Sequence, residues 1–95
     1  MKAWVYILRL KSGILYTGAT SNLEKRVNEH KAGKACRTTK LDPPKKLEYS
    51  EKLESYKLAR KREAQIKRWS RAKKEALIAG DIKTLKKLSV RRNKK

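Results

Sequence analysis

Cysteine and histidine occur once each in this 95-residue chain, as Cys36 and His30. One thiol closes no internal disulfide, and the pair falls short of any Cys/His zinc arrangement. No segment approaches the roughly 18 uninterrupted apolar residues of a membrane span. The mostly apolar stretch after Met1 lacks a small-residue cleavage site. Neither export nor a span is therefore expected, and a reducing cytoplasm is the expected compartment. Acidic residues are scarce as well: 9 Asp+Glu stand against 28 Lys+Arg, giving a net charge of +19 and a pI near 10.4. At 11.1 kDa there is room for one domain, whose folding buries roughly 60 to 70% of the unfolded chain's surface.

Both halves share the excess charge. Residues 1–50 carry 11 basic and 4 acidic side chains, and residues 51–95 carry 17 and 5. So positive a chain repels itself when compact, and a polyanion relieves that repulsion as its phosphates exchange condensed counterions for Lys and Arg. Nucleic acid is the expected partner. Solubility alone needs far less charge. An anionic membrane surface is disfavoured because the apolar residues along the basic segment near 56–79 are needed for the core. No small-molecule substrate is expected.

The run WVYILRL at 4–10 is separated from ILYTGAT at 14–20 by KSG, which reads as a hairpin. With a three-residue loop and Gly13 in the left-handed region, Leu8 pairs with Tyr16 and Tyr6 with Gly18. Tyr6 and Tyr16 then lie diagonally on one face, whereas a two-residue loop would place them on opposite faces. Ser21 and Glu24 form a capping box for a helix that ends near Ala32, before Gly33. On it Leu23 and Val27 make an apolar stripe beside a polar one of Asn22, Arg26 and His30. Residues 34–44 lack periodicity and read as a loop, and the sequence leaves open whether its lone thiol, Cys36, is more than an exposed residue. KKLEYSEKL at 45–53 alternates like a third strand, half-buried. Ser55 caps a single helix predicted over 56–79, with Ala59, Ile66, Trp69, Ala76 and Leu77 inward. Gly80 ends it, Asp81 caps a last short helix with Ile82, Leu85 and Leu88 inward, and 91–95 form a basic disordered tail beyond a domain of residues 1–90.

Glu63 interrupts the apolar stripe of the long helix, lying four residues after Ala59 and three before Ile66. A carboxylate there must be paired or bound to a metal, since an unpaired buried charge costs several kcal/mol. Arg60, Arg62 and Lys67 are the candidate partners. Taken singly, Arg26 reads as a surface cation, His30 as a solvated or core histidine, and Tyr6 and Tyr16 as core strand residues. Together they make a set: two phenols of one sheet, a guanidinium one helical turn from an imidazole, and one inward carboxylate.

That ordered set, over roughly residues 2–80, resembles the GIY-YIG nuclease family in its small standalone branch. Trp4, Val5 and Tyr6 correspond to its first motif, and Tyr16, Thr17 and Gly18 to its second, ten residues later. NLEKRVNEH supplies Arg26 and His30, and KREAQIKRW supplies Glu63. Trp4 replaces the first motif's glycine and Thr17 the second's isoleucine. Where several relatives carry a downstream asparagine, this chain reads Glu75, Ala76, Leu77 and Ile78.

The resemblance implies an α+β fold with a small three-stranded antiparallel sheet flanked by helices. It also implies hydrolysis of DNA phosphodiesters with one divalent cation, Mg2+ or Mn2+, in DNA repair or recombination. Glu63 would hold the metal and Arg26 would clamp nonbridging oxygens. Tyr16 would position or deprotonate the attacking water, Tyr6 would hydrogen-bond nearby, and His30 would relay a proton. The products would carry a 5′-phosphate and a 3′-hydroxyl. Lys34, Arg37, Lys40, Lys67, Arg68 and Arg71 would contact the nucleic-acid backbone without specifying sequence. The preferred DNA is expected to be branched or single-stranded in part, with targeting supplied by a protein partner. The alternatives are a non-catalytic or weakly catalytic nucleic-acid-binding module on the same scaffold, and a binder of structured RNA.

Overall fold

In the computed structural model, which describes residues 2–81 and 83, a three-stranded antiparallel sheet in the order β2-β1-β3 separates two helical layers. The strands are β1 (Ala3–Leu10), β2 (Leu15–Thr20) and β3 (Pro44–Leu53). The helices are α1 (Leu23–Lys31) and the short α2 (Arg37–Leu41), between β2 and β3, and α3 (Tyr56–Lys67) and α4 (Arg71–Ala79) after β3. The expected last helix and tail, from Ile82 onward, lie outside the described residues apart from Lys83.

The central strand alternates between the two layers. Ala3, Val5 and Ile7 pack with Ala59 and Ile66 of α3, while Tyr6, Leu8 and Leu10 pack toward Leu23 and Val27 of α1. Period-two alternation along one apolar strand thus builds two thin cores. The hairpin has the expected register: Leu8 opposes Tyr16 and Tyr6 opposes Gly18. The Leu10 amide donates to the Ile14 carbonyl at 2.8 Å, and Gly13 closes the loop at φ 100°, where a side chain would be strained. Thr17, in the place of the family's isoleucine, faces α3 almost fully buried, and its hydroxyl has no hydrogen-bond partner among the described residues.

Four sequence readings are corrected. Asn22, not Ser21, is the N-cap of α1, its side-chain oxygen accepting from the Lys25 amide at 3.1 Å. The stretch 34–44 is not wholly loop: Arg37–Leu41 form α2, a helix of little more than one turn that starts after Cys36. The predicted helix over 56–79 is two helices, because Ser70 caps a new one by accepting from the Lys73 amide at 3.2 Å. The alternation of β3 is broken by register shifts that leave Glu48 and Lys45 unopposed on β1. Tyr49 therefore opposes Ile7 while Leu47 opposes Leu8, on the other face. The caps read at Ser55 and Gly80 are present, Gly80 at φ 71°.

Candidate active site

The face of the sheet toward α1 and α2 carries the two phenols. Tyr6 lies flat over the second motif's glycine: a Cβ built on Gly18 would fall 2.4 Å from the Tyr6 hydroxyl and 2.5 Å from Cζ. Only a residue without a side chain leaves room for this ring. Between the phenols sits His30, 1% exposed, its ring edge-on to both at centroid distances of 5.7 Å from Tyr6 and 5.2 Å from Tyr16. Its Nε2 is 2.8 Å from the Tyr6 hydroxyl and its Nδ1 2.8 Å from the Thr39 Oγ1. The polar stripe expected on α1 therefore turns inward at His30, because both ring nitrogens find partners there. Burial lowers the His30 pKa below the ordinary histidine value, Arg26 lowers it further, and Glu29 opposes them.

α2 completes the wall. Thr39 is fully buried, and Cys36, the residue before the helix, is half-buried with its thiol 3.5 Å from the Tyr16 hydroxyl and 3.5 Å from the Thr39 hydroxyl. The role of Cys36, open in the sequence, is here that of a half-buried neighbour of both hydroxyls. Burial raises its pKa, but hydrogen bonds with Thr39 and Tyr16 outweigh that and hold the thiol below its usual range. No periodicity in residues 34–44 marks Cys36 or Thr39 as site residues. The available signal is their three-residue separation, which a single helical turn brings to one side.

Arg26 and Glu63 both reach this face electrostatically. Burial pushes both phenols above the ordinary tyrosine value, Tyr16 to about 12. Against it, the Arg26 guanidinium pulls both down, and the Glu63 carboxylate adds to the rise in each. The two helices thus deliver opposite charges to one pair of phenols. Arg26 is part-exposed and holds Glu29 at 3.2 Å. The Glu63 side chain is only 13% exposed, and Arg60 at 3.2 Å and Lys67 at 2.9 Å balance its charge. Arg62, the third candidate partner, turns instead to Glu51 at 3.2 Å.

The proposed backbone-contacting residues are all on the surface. Lys34 follows α1, Arg37 and Lys40 lie on α2, Lys67 and Arg68 end α3, and Arg71 opens α4. No described carboxylate is within ion-pair distance of Lys34, Arg37, Lys40 or Arg68, whereas Lys67 is held by Glu63 and Arg71 by Glu75. Glu75, which falls where relatives carry asparagine, is engaged by Arg9 at 3.0 Å and by Arg71 at 3.4 Å. Arg9 is held from its other side by Glu48. Glu75 is thus engaged in ion pairs with β1 and its own helix on the sheet face away from the phenols.

Among the described residues, no group of three or more His, Cys, Asp or Glu side chains is placed to hold a metal ion. A lone carboxylate nevertheless suits Mg2+, which keeps several waters and is commonly held by one or two carboxylates together with substrate phosphate oxygens. Glu63 is a lone, largely buried carboxylate of this kind, paired here with Arg60 and Lys67. No described helix is long and apolar enough to cross a membrane.

Known proteins resemble this chain over most of its length. A family model described as the GIY-YIG catalytic domain matches residues 2–76. A UPF0213 protein of Natronomonas pharaonis is 44% identical over 78 residues, covering 82% of this chain and 92% of the relative. A UPF0213 protein of Syntrophus aciditrophicus is 49% identical over 78 residues, covering 81% and 90%. The solution NMR structure of a UPF0213 protein from Bacillus halodurans superposes with a TM-score of 0.54 at 35% identity, covering 83% of this chain and 84% of that one. With its two tyrosine motifs on one sheet face and most of its length matched by that domain, the chain belongs to the GIY-YIG nuclease family.

Proposed function

We propose that the protein is a metal-dependent endonuclease that hydrolyses DNA phosphodiester bonds. The observation that supports this reading is the pair of phenols, Tyr6 and Tyr16, set around the buried His30 on one sheet face, where the charges of Arg26 and Glu63 are both felt. A phosphodiester needs a cation for its nonbridging oxygens, an oriented water opposite the leaving group, and a second charge on the leaving oxygen.

Glu63 would hold a single Mg2+ or Mn2+, which supplies Lewis-acid stabilisation of the phosphate and the leaving oxygen. Lys67 and Arg60, now on that carboxylate, can turn to phosphate when DNA arrives. Arg26 is the residue for the nonbridging oxygens, since its planar fork matches two of them as charge grows. With its pKa near 12, Tyr16 is a hydroxyl at neutral pH, so it orients the attacking water by hydrogen bonding instead of meeting it as a ready phenolate. Tyr6 stands beside it, held from behind by His30. His30 is too deeply buried to meet DNA itself and acts through the Tyr6 hydroxyl.

Lys34, Arg37, Lys40, Arg68 and Arg71 would seat the backbone around the cleft. Contacts of this kind bind without reading bases. Substrate choice by DNA structure, with branched or partly single-stranded sites preferred and a role in repair or recombination, follows as the natural reading, with targeting by a partner protein. A second reading has its own support: Glu63 is neutralised by two cations and Glu75 is committed elsewhere. On that reading the protein is a weakly catalytic or non-catalytic nucleic-acid-binding module.

Cleavage of duplex, single-stranded and branched DNA of equal length, with Mg2+, with Mn2+ and with chelator, separates the two. The endonuclease reading expects cation-dependent cutting by the parent and none by Glu63→Ala. Binding without cutting on every substrate and with either metal would leave the module reading in place.

A further inference from the structure

We infer that Thr39 is a positioning residue, whose hydroxyl fixes His30 as the tautomer protonated at Nδ1 so that the unprotonated Nε2 accepts the hydrogen of the Tyr6 hydroxyl. The inference rests on the nuclease reading for its catalytic consequence, but not for its geometry.

Thr39 is fully buried at the third position of α2, and its Oγ1 has three neighbours: His30 Nδ1 at 2.8 Å, the Cys36 carbonyl at 3.5 Å and the Cys36 thiol at 3.5 Å. A hydroxyl has one hydrogen to give and two lone pairs to receive with. The Cys36 carbonyl can only accept, and it stands three residues back along the chain, where a helical threonine hydroxyl commonly donates its hydrogen; the hydroxyl then turns a lone pair toward His30. Nδ1 must then carry the imidazole hydrogen. A neutral imidazole has only one, which leaves Nε2 bare, 2.8 Å from the Tyr6 hydroxyl. That hydroxyl accordingly donates to Nε2, and its own lone pairs point away from the ring.

The groups facing the imidazole are Tyr6 on β1, Tyr16 on β2, Arg26 and Glu29 on α1, and Cys36 with Thr39 at α2. Burial and the Arg26 cation favour the neutral form on which this rests, and outweigh Glu29, which favours the charged one. The outcome is a directed chain from phenol to imidazole to hydroxyl to main-chain carbonyl. It leaves the Tyr6 oxygen as an acceptor toward the cleft, where a water beside Tyr16 would be oriented. The opposite tautomer would make Nε2–H the donor and spend a Tyr6 lone pair on it.

Because His30 is the one histidine of the chain, its ring nitrogens can be read without ambiguity by long-range 15N–1H spectroscopy of the full-length protein. At pH 7.5 the parent and Thr39→Ser are expected to show a neutral ring protonated at Nδ1. Thr39→Val, close in shape but without the hydroxyl, is expected to shift toward the Nε2-protonated form. It is also expected to cut DNA about ten-fold more slowly, by analogy with the outer hydrogen-bond partners of metal-bound histidines, with Thr39→Ser restoring the rate. An Nε2-protonated parent overturns the assignment, as does a folded Thr39→Val that keeps the parent's tautomer. Should Thr39→Val fail to fold, the parent spectrum alone still decides. A parent that shows the Nδ1 tautomer yet cuts no DNA would contradict the nuclease reading and leave the positioning of His30 intact.

Discussion

A single absent methyl group does much to define this site. The Tyr6 ring occupies the space that a side chain at position 18 would need, so Gly18→Ala must push the phenol off the sheet. Overpacking of this kind costs about 1–3 kcal/mol. Thermal unfolding of the variant should therefore show a lowered midpoint, and any cleavage activity should fall by more than the decrease in folded protein explains. His30 makes a second prediction. Its folded-state pKa lies below the ordinary value near 6.5, so the unfolded chain binds the proton more readily. The stability that the neutral ring contributes is fully present above that pH and is lost as pH falls toward the folded pKa. Denaturation of the parent from pH 8 down to pH 5 should show a loss that His30→Gln does not share, and equal pH dependence in both would contradict the buried neutral ring. Tyr6, Tyr16, Arg26 and Glu63 are singled out in the sequence by the family resemblance, in which each falls in a motif with a place on a strand or helix. Thr39 and Cys36 are not, since their contribution depends on a tertiary contact between α2 and the far end of α1.

At the scale of elements, the hairpin register follows from Gly13 and the three-residue loop, and with it the pairing of Tyr6 with Gly18. Local chemistry settles that element. Where two local signals compete, sequence alone does not decide. Ser21 and Asn22 are both capping residues, and the chain uses Asn22. Asn22→Ala should therefore cost about 1 kcal/mol, while Ser21→Ala stays within about 0.5 kcal/mol of the parent, as measured by chemical denaturation. A larger destabilisation at Ser21 would return the cap to that residue. Ser70 is hidden in the same way inside a long apolar periodicity, because 3.6-residue spacing continues across a break when the second helix packs on the same core. The shifts in β3 escape for another reason: an extra residue inverts the alternation of the strand, and only its partner β1 reveals it.

For the molecule as a whole, the net charge of +19 and the two opposed cores describe a thin scaffold whose excess cations are kept for a polyanion. Of these, Lys34, Arg37 and Lys40 stand exposed on the α1–α2 side of the sheet, clear of any described carboxylate. Replacing all three by alanine should weaken DNA binding and flatten the plot of log affinity against log salt by about 0.9 for each phosphate of duplex DNA that is no longer neutralised. An unchanged slope would move the backbone path elsewhere. The nuclease assignment turns on Glu63, the largely buried carboxylate of α3 whose charge is felt at the sheet's phenols. The most direct test is the rate of DNA cleavage by Glu63→Gln beside the parent across a range of Mg2+ or Mn2+, with DNA affinity measured for both. Cation-dependent cutting by the parent is expected, slowed by about a hundred-fold or more in the variant while DNA binding is retained. A variant that cuts as fast as the parent, with the same dependence on the cation, would contradict that assignment.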